Sequence, residues 1–274
     1  MTDSPDREGA DCWGRLNEVP DVAPILAILD GLPAGFRVAR RAMLARLGLE
    51  ATSRVLEAGC GPGTALADLS EFIGPAGRIV GIDPTQALVA TAEARADAAG
   101  LSQATYAVGD IRHLASAGEA FDAAFCDKIL VHVGPASQAL AELVRVTRRG
   151  GRVGAVEWYS QGMVVLATDY ALTRRIMDGS AREAAFNPML PLELERLMTD
   201  AGLSDIEAAS VVAEAHEGLP SLMTMLTRRM HQAVDAGALT GHEGAAWIQD
   251  LESRASRGQF YWAALVRWAV GTKR

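Results

Sequence analysis

Residues 55–64, Val-Leu-Glu-Ala-Gly-Cys-Gly-Pro-Gly-Thr, constrain the fold more than any other stretch of the chain. Val55 and Leu56 end a short apolar run of buried-strand character, and Gly59, Gly61 and Gly63 then alternate through a turn. Without Cβ atoms at these positions, a ligand can approach the main chain closely. Thr64 is placed to cap a helix over 64–72. Strand, glycine turn and helix start, in that order, make a loop suited to a nucleotide-containing ligand. Two kinds of loop fit. A dinucleotide fingerprint, G-x-G-x-x-G, puts its third glycine where this chain has Thr64, which counts against a nicotinamide dinucleotide. The other is the loop of an adenosyl-cofactor site.

The flanking segments repeat the pattern. Residues 78–83, Arg-Ile-Val-Gly-Ile-Asp, read as a second apolar strand ending in a carboxylate about twenty residues past the loop, where a doubly wound sheet offers an acid to a ribose diol. Asp83 is the candidate for that role, and capping of a helix that begins near Thr85 is the plainer alternative. A third strand over 104–108 runs into Gly109, Asp110 and Ile111. A fourth over 121–126 delivers Asp127 and Lys128 to the carboxyl edge, where open α/β sheets bind ligands. His132 follows within a few residues. A fifth strand over 151–158 ends in Glu157 and Trp158.

With these four motifs in order, residues 47–158 resemble the class I S-adenosylmethionine-dependent methyltransferases, in particular the bacterial small-molecule branch. The first motif of that family reads acidic-x-Gly-x-Gly-x-Gly, here Glu57-Ala-Gly59-Cys60-Gly61-Pro62-Gly63. The resemblance implies an α/β fold: a Rossmann-like, seven-stranded, mostly parallel sheet with its last strand antiparallel, flanked by helices and carrying helical lid insertions. It implies S-adenosyl-L-methionine as cofactor. Glu57, Gly59, Cys60, Gly61 and Gly63 would surround its methionine end, and Asp83, Pro84 and Thr85 its ribose. Asp110 and the N–H of Ile111 would meet the adenine, with Asp127 and Lys128 on the floor of the crevice.

Beyond the motifs, the layout predicts one domain over 1–274. An N-terminal helical cap spans 1–48, with helices over 22–29 and 36–47, and the cofactor-binding core spans 49–159. Helices over 85–99 and 136–147 complete the βαβ rhythm. A helix over 168–184, another over 192–201, a strand over 203–212, a helical stretch over 220–257 and a closing strand over 259–271 follow. Segments 160–190 and 217–257 then form a substrate lid over the carboxyl edge.

Composition narrows the partners. Against 26 basic residues stand 34 acidic ones, a net charge of −8, and no basic tract interleaved with aromatics is present, which argues against nucleic acid. No apolar run reaches the ~18 residues of a membrane span, and the acidic N-terminus has no secretory pattern, so no membrane insertion and a cytoplasmic location are expected. Cys12, Cys60 and Cys126 and the five histidines have no metal-ligand spacing, so no metal is expected. Oligomeric state stays open, because the inserted helices can pack on a second copy, giving a homodimer, or on their own sheet.

Methyl transfer from a sulfonium needs exclusion of water and in-line placement of the acceptor more than acid or base strength. Where the acceptor must lose a proton, His132 is the first candidate base and Glu157 the second. Trp158, Tyr159, Tyr170, Phe186, His216 and Met223 are candidates to wall a pocket for a small, partly lipophilic acceptor, with a place in specialised metabolism. Three readings follow: methyltransferase, a cyclase or regulatory subunit that keeps the cofactor loop, and an NAD-dependent oxidoreductase, which also lacks an evident Tyr-x-x-x-Lys pair.

Overall fold

The computed structural model describes residues 22–180 and 187–274. Five strands lie parallel: β1 (Arg54–Ala58), β2 (Arg78–Asp83), β3 (Ala104–Val108), β4 (Phe121–Asp127) and β5 (Thr147–Trp158), in the spatial order β3-β2-β1-β4-β5. A short β6 (Val164–Val165), β7 (Leu203–Ala215) and β8 (Trp262–Lys273) complete the sheet. β8 runs antiparallel to β5, and β7 pairs antiparallel on the other side of β8.

β1 and β4 are buried on both faces, which is why their sequences read as nearly unbroken apolar runs. Successive side chains serve opposite layers. Val55, Ala123 and Phe125 enter one core, and Leu56, Ala124 and Cys126 the other. The same alternation puts Glu57 on the face of Val55 and Asp127 on the face of Phe125, so two acids reach the carboxyl edge on one layer. The strand order reverses between β1 and β4, and that is where an α/β sheet leaves a crevice.

One layer holds α2 (Ala34–Leu44) and α4 (Gln86–Ala98), the other α5 (Ala136–Val146) and α7 (Leu194–Asp200). Phe36, Ala39, Arg40, Met43 and Leu44 recur at helical spacing on the buried face of α2. Gly154 of β5 gives Met43 room, since a Cβ there would come within 2.5 Å of its sulfur. Over the carboxyl edge lie α1 (Ala23–Asp30), α6 (Tyr170–Gly179), α8 (Pro220–Asp235) and α9 (Gly241–Ser256), with α8 packed on α1, α6 and α9. Asp169 caps α6 through the N–H of Leu172, and Thr240 with Glu243 forms a capping box on α9.

The mostly parallel sheet with its last strand antiparallel is as expected, and the two-residue β6 adds an eighth strand by pairing with Ala263 and Trp262 of β8. Other expectations are corrected. The stretch 220–257 is two helices, broken where Gly237 adopts a left-handed conformation. Thr64 caps nothing. The helix expected from it, α3, covers only Leu66–Leu69 and has Ala65 at its cap, because the glycine turn runs further than the sequence suggested. The helix expected over 168–184 ends at Gly179, and its last part, from 181, lies outside the described residues.

Arg40 ties these parts together. Its guanidinium is buried and reaches Asp68 of α3 at 2.8 Å and Asp127 of β4 at 3.1 Å. Arg37 and Arg41 add bonds to Asp68 at 2.8 and 3.0 Å. Removing one member of a buried ion cluster strands the other charges without a counter-charge. Arg40→Ala is therefore expected to cost about 3 kcal/mol of unfolding free energy, the lower end of the range for such pairs because Arg37, Arg41 and Lys128 remain. Urea denaturation checks it, and an unchanged midpoint overturns the assignment.

Candidate active site

The glycine loop is pinned to β2 by two bonds, from the N–H groups of Gly59 and Cys60 to the carbonyl of Ile82, at 2.7 and 2.8 Å. Gly59, Gly61 and Gly63 all have positive φ, at 79°, 51° and 77°. A Cβ on Gly63 would press on Ala92 of α4 at 3.2 Å, whereas one on Gly61 would meet only Leu29, at 3.9 Å. Gly63 thus serves packing, and Gly61 faces open space. That space is a cavity of about 570 Å³ between the carboxyl edge of the sheet and helices α1 and α8.

One end of the cavity is acidic. Glu57 lines it, and its Oε2 is buried with no hydrogen-bond partner. Burial, with added repulsion from Asp127 and Asp83, pushes its carboxyl up to about 8 in spite of Arg40 and Lys128. Asp83 accepts from the N–H of Gly61 and of Thr85, each at 2.9 Å, so one carboxylate both holds the loop and starts α4. Pro84 lines the cavity beside it, and Thr85 is buried behind. Asp110 and Ile111 line it further along, with Asp110 held by Arg112 through Nη2 at 2.7 Å. On the floor, Lys128 has φ of 62°, its N–H donates to Val156 at 2.7 Å, and its Nζ turns back to Asp127 at 2.7 Å. Of the residues named from sequence for the cofactor, Gly63 and Thr85 are not in the cavity wall; the others are brought together in it.

The opposite end is basic. His132 lines it from a short 3₁₀ turn, Leu130–His132, after β4. Burial, then the charges of Arg229, Arg228 and Lys128, press its imidazole down to about 4. Trp158 lines the same end, edge-on to Phe36 with centroids 5.7 Å apart. Glu157 does not face the cavity. Its Oε1 accepts from the N–H groups of Ile129 and Leu130 at 2.9 and 2.6 Å, so it fixes the turn that carries His132. That corrects its candidacy as a base. Burial also pushes its carboxyl up to about 8.

The structure does not bring Tyr159, Tyr170, His216 or Met223 into the cavity wall, and Phe186 lies outside the described residues. Tyr170 is 72% exposed on α6. His216 packs edge-on against Tyr261, beside Glu214. Tyr159 covers Gly162. Sequence reasoning missed two helical stripes that do line the cavity: Ile25, Ile28 and Leu29 of α1 with Leu32, two residues past its end, and Met225, Arg228, Arg229 and Gln232 from α8. Both follow the i, i+3, i+4, i+7 rule. The spacing was visible, but nothing in it says whether a stripe faces core or cavity.

Residues 55–151 match the model of a family described as a methyltransferase domain. A 37.1 kDa protein of Streptomyces fradiae, carried in transposon TN4556, is 32% identical over 94% of this chain and 73% of its own length. The ubiquinone biosynthesis O-methyltransferase of Azorhizobium caulinodans is 28% identical, over 78% of this chain and 83% of that protein. Among solved structures, the [4+2]-cyclase SpnF superposes with a TM-score of 0.59 at 21% identity, covering 97% of each chain.

The raised carboxyls set a pH dependence. Between the ordinary value of 4.5 and about 8, the folded chain holds protons on Glu57 and Glu157 that the unfolded chain releases. Stability contributed by these groups therefore falls as pH rises through that window. His132 acts oppositely, removing stability as pH falls from 6.5 toward 4, because only the unfolded chain takes up its proton there. Thermal melts of the cofactor-free protein are expected to show a midpoint that declines from pH 6.5 to 8.5. Glu57→Gln should flatten that decline, and a midpoint that rises with pH overturns both carboxyl assignments.

Proposed function

We propose that this chain is a class I S-adenosylmethionine-dependent methyltransferase, transferring a methyl group from that cofactor to a small, partly lipophilic organic acceptor held between α1 and α8. The carrying observation is one continuous cavity that runs from the glycine loop to the apolar stripe of α1 and the mixed stripe of α8.

The residues present fit the cofactor. The buried Oε2 of Glu57 has no hydrogen-bond partner, which suits the ammonium of the methionine moiety. Gly61 leaves the loop backbone open to close approach. Asp83 and Asp110 offer acceptor oxygens along the same wall, for ribose hydroxyls and an exocyclic amine. When bound, the cofactor supplies a methyl carbon activated by a sulfonium leaving group. The chain's own work is placement and exclusion of water. Ile25, Ile28, Leu29 and Trp158 supply dry surface, and Lys128 stays tied to Asp127.

A second reading, cyclisation of a bound substrate, has one observation in its favour. Among the described residues, the acceptor end presents His132 and no carboxylate, and an imidazole pressed down to about 4 is a weak base. The likeness to a protein described as a [4+2]-cyclase is compatible with this reading. Mass spectrometry separates the readings: a product one methyl group heavier, with S-adenosylhomocysteine formed, against an isomer of unchanged mass.

Calorimetry with S-adenosylhomocysteine tests the cofactor assignment directly. Wild-type protein is expected to bind it, and Asp83→Ala to weaken binding about tenfold or more, the loss of one charge-assisted hydrogen bond together with the tie to Gly61. No binding heat in the wild type, at two temperatures, sinks the methyltransferase reading.

A further inference from the structure

Two arginines are buried among the described residues, Arg40 and Arg229. Arg40 is matched by Asp68 and Asp127. Arg229 has no such match among the described residues. It is 5% exposed, and its polar contact is a bond from Nη1 to the hydroxyl of Ser180 at 3.2 Å, with its guanidinium 6.0 Å from the ring centre of Trp158. No carboxylate among the described residues pairs with it, and the one charge that shifts it is a like charge, Arg228, one residue before. Burial, and then Arg228, pull its guanidinium down to about 10. Arg228 is exposed and has no carboxylate partner among the described residues.

Both side chains line the cavity, on the stripe of α8 that faces His132 and Trp158. The four carboxylates of the wall, Glu57, Asp83, Asp110 and Asp127, come from the strand ends and the loops that follow them, not from α8. A desolvated guanidinium without a counter-charge is unfavourable for the fold, and a planar fork of donors matches an oxyanion in two bonds. Ser180 occupies one donor of Arg229 and anchors it, while Trp158 lies against its guanidinium.

We propose that the acceptor carries an oxyanion, a carboxylate or a phosphate, which Arg229 binds with Arg228 beside it, while the apolar body of the acceptor lies against Ile25, Ile28 and Met225. This rests on the acceptor site proposed above and names its substrate class. It makes the acceptor an amphipathic anion, and it gives the basic end of the cavity its counter-charge. Burial first, and then the charges of Arg229, Arg228 and Lys128, lower the His132 pKa, and those charges also favour an anionic group over a neutral one.

The test uses the whole protein saturated with S-adenosylhomocysteine and three probes with one tail: hexanoate, hexyl phosphate and 1-hexanol. Titrations followed by saturation-transfer NMR give their affinities. At least one anion is expected to bind about tenfold or more tighter than the alcohol, and Arg229→Gln to bring it to the level of the alcohol. Arg228→Gln should cost a smaller factor. The stronger anion identifies the group as carboxylate or phosphate. Equal binding of anions and alcohol to wild type, no binding of either anion, or an Arg229→Gln protein that keeps the preference overturns the proposal. Should Arg229→Gln fail to fold, the wild-type comparison and Arg228→Gln still decide. Cofactor binding is measured separately: if S-adenosylhomocysteine does not bind, the methyltransferase reading fails, and the same probes on unloaded protein still test the anion site.

Discussion

The guanidinium of Arg40 is the contact on which the rest of the site depends. Parallel strands deliver their terminal side chains to one edge, and here β1, β2 and β4 deliver Glu57, Asp83 and Asp127 within a small volume. Three carboxylates converging in a buried crevice repel one another. The fold answers in three ways. Arg40 places one cation between Asp127 and Asp68 and thereby clamps α2 and α3 to the sheet. Lys128 bends back in a left-handed conformation to reach Asp127. Glu57 takes the remaining relief by holding its proton. The glycine loop stays in place because Asp83 is free to accept from Gly61.

This arrangement divides the cavity electrically. Acids cluster at the strand ends, and Arg228, Arg229 and a neutral His132 occupy the side of α8. A cofactor with an ammonium and a sulfonium suits the first half, and an anionic group suits the second. In a low-dielectric cleft such a separation orients a pair of ligands more strongly than it would in water. Lys128 belongs to both halves by position, yet its ion pair with Asp127 commits it to the acidic one.

Much of the sheet was legible in the chain because burial on both faces leaves an unmistakable apolar run, and because a glycine turn after such a run admits few alternatives. Asp83, Asp110 and Asp127 were legible for the same reason: Asp83 and Asp127 end strands, Asp110 follows one closely, and strand ends define the edge. Thr64 misled, since a β-hydroxyl after a glycine turn looks like a cap whether or not the next residues are helical. Glu157 misled in another way. A carboxylate at a strand end points to one face or the other by strict alternation, and one that lies behind the wall can satisfy two backbone N–H groups instead of meeting a ligand. Arg40 was invisible because its partners are 28 and 87 residues away. Arg229 looked like one more charge on an amphipathic helix.

The residues expected to wall the acceptor pocket expose the deeper limit. Aromatic side chains near the end of β5 were natural candidates for a pocket wall, but Tyr170 and His216 face outward. The wall is built instead by two ordinary stripes, one of isoleucine and leucine on α1 and one on α8. On α8 the core stripe, Leu222, Leu226, Met230 and Ala233, lies directly beside the cavity stripe, Met225, Arg228, Arg229 and Gln232. The core stripe holds the helix to α6 and α9, so the adjoining stripe can change its chemistry with little consequence for the sheet. The acids at the strand ends are thus positions that the fold itself requires, whereas the cavity stripe of α8 is a helix face that the fold only has to position. In the function proposed above, that face is where acceptor choice would be made.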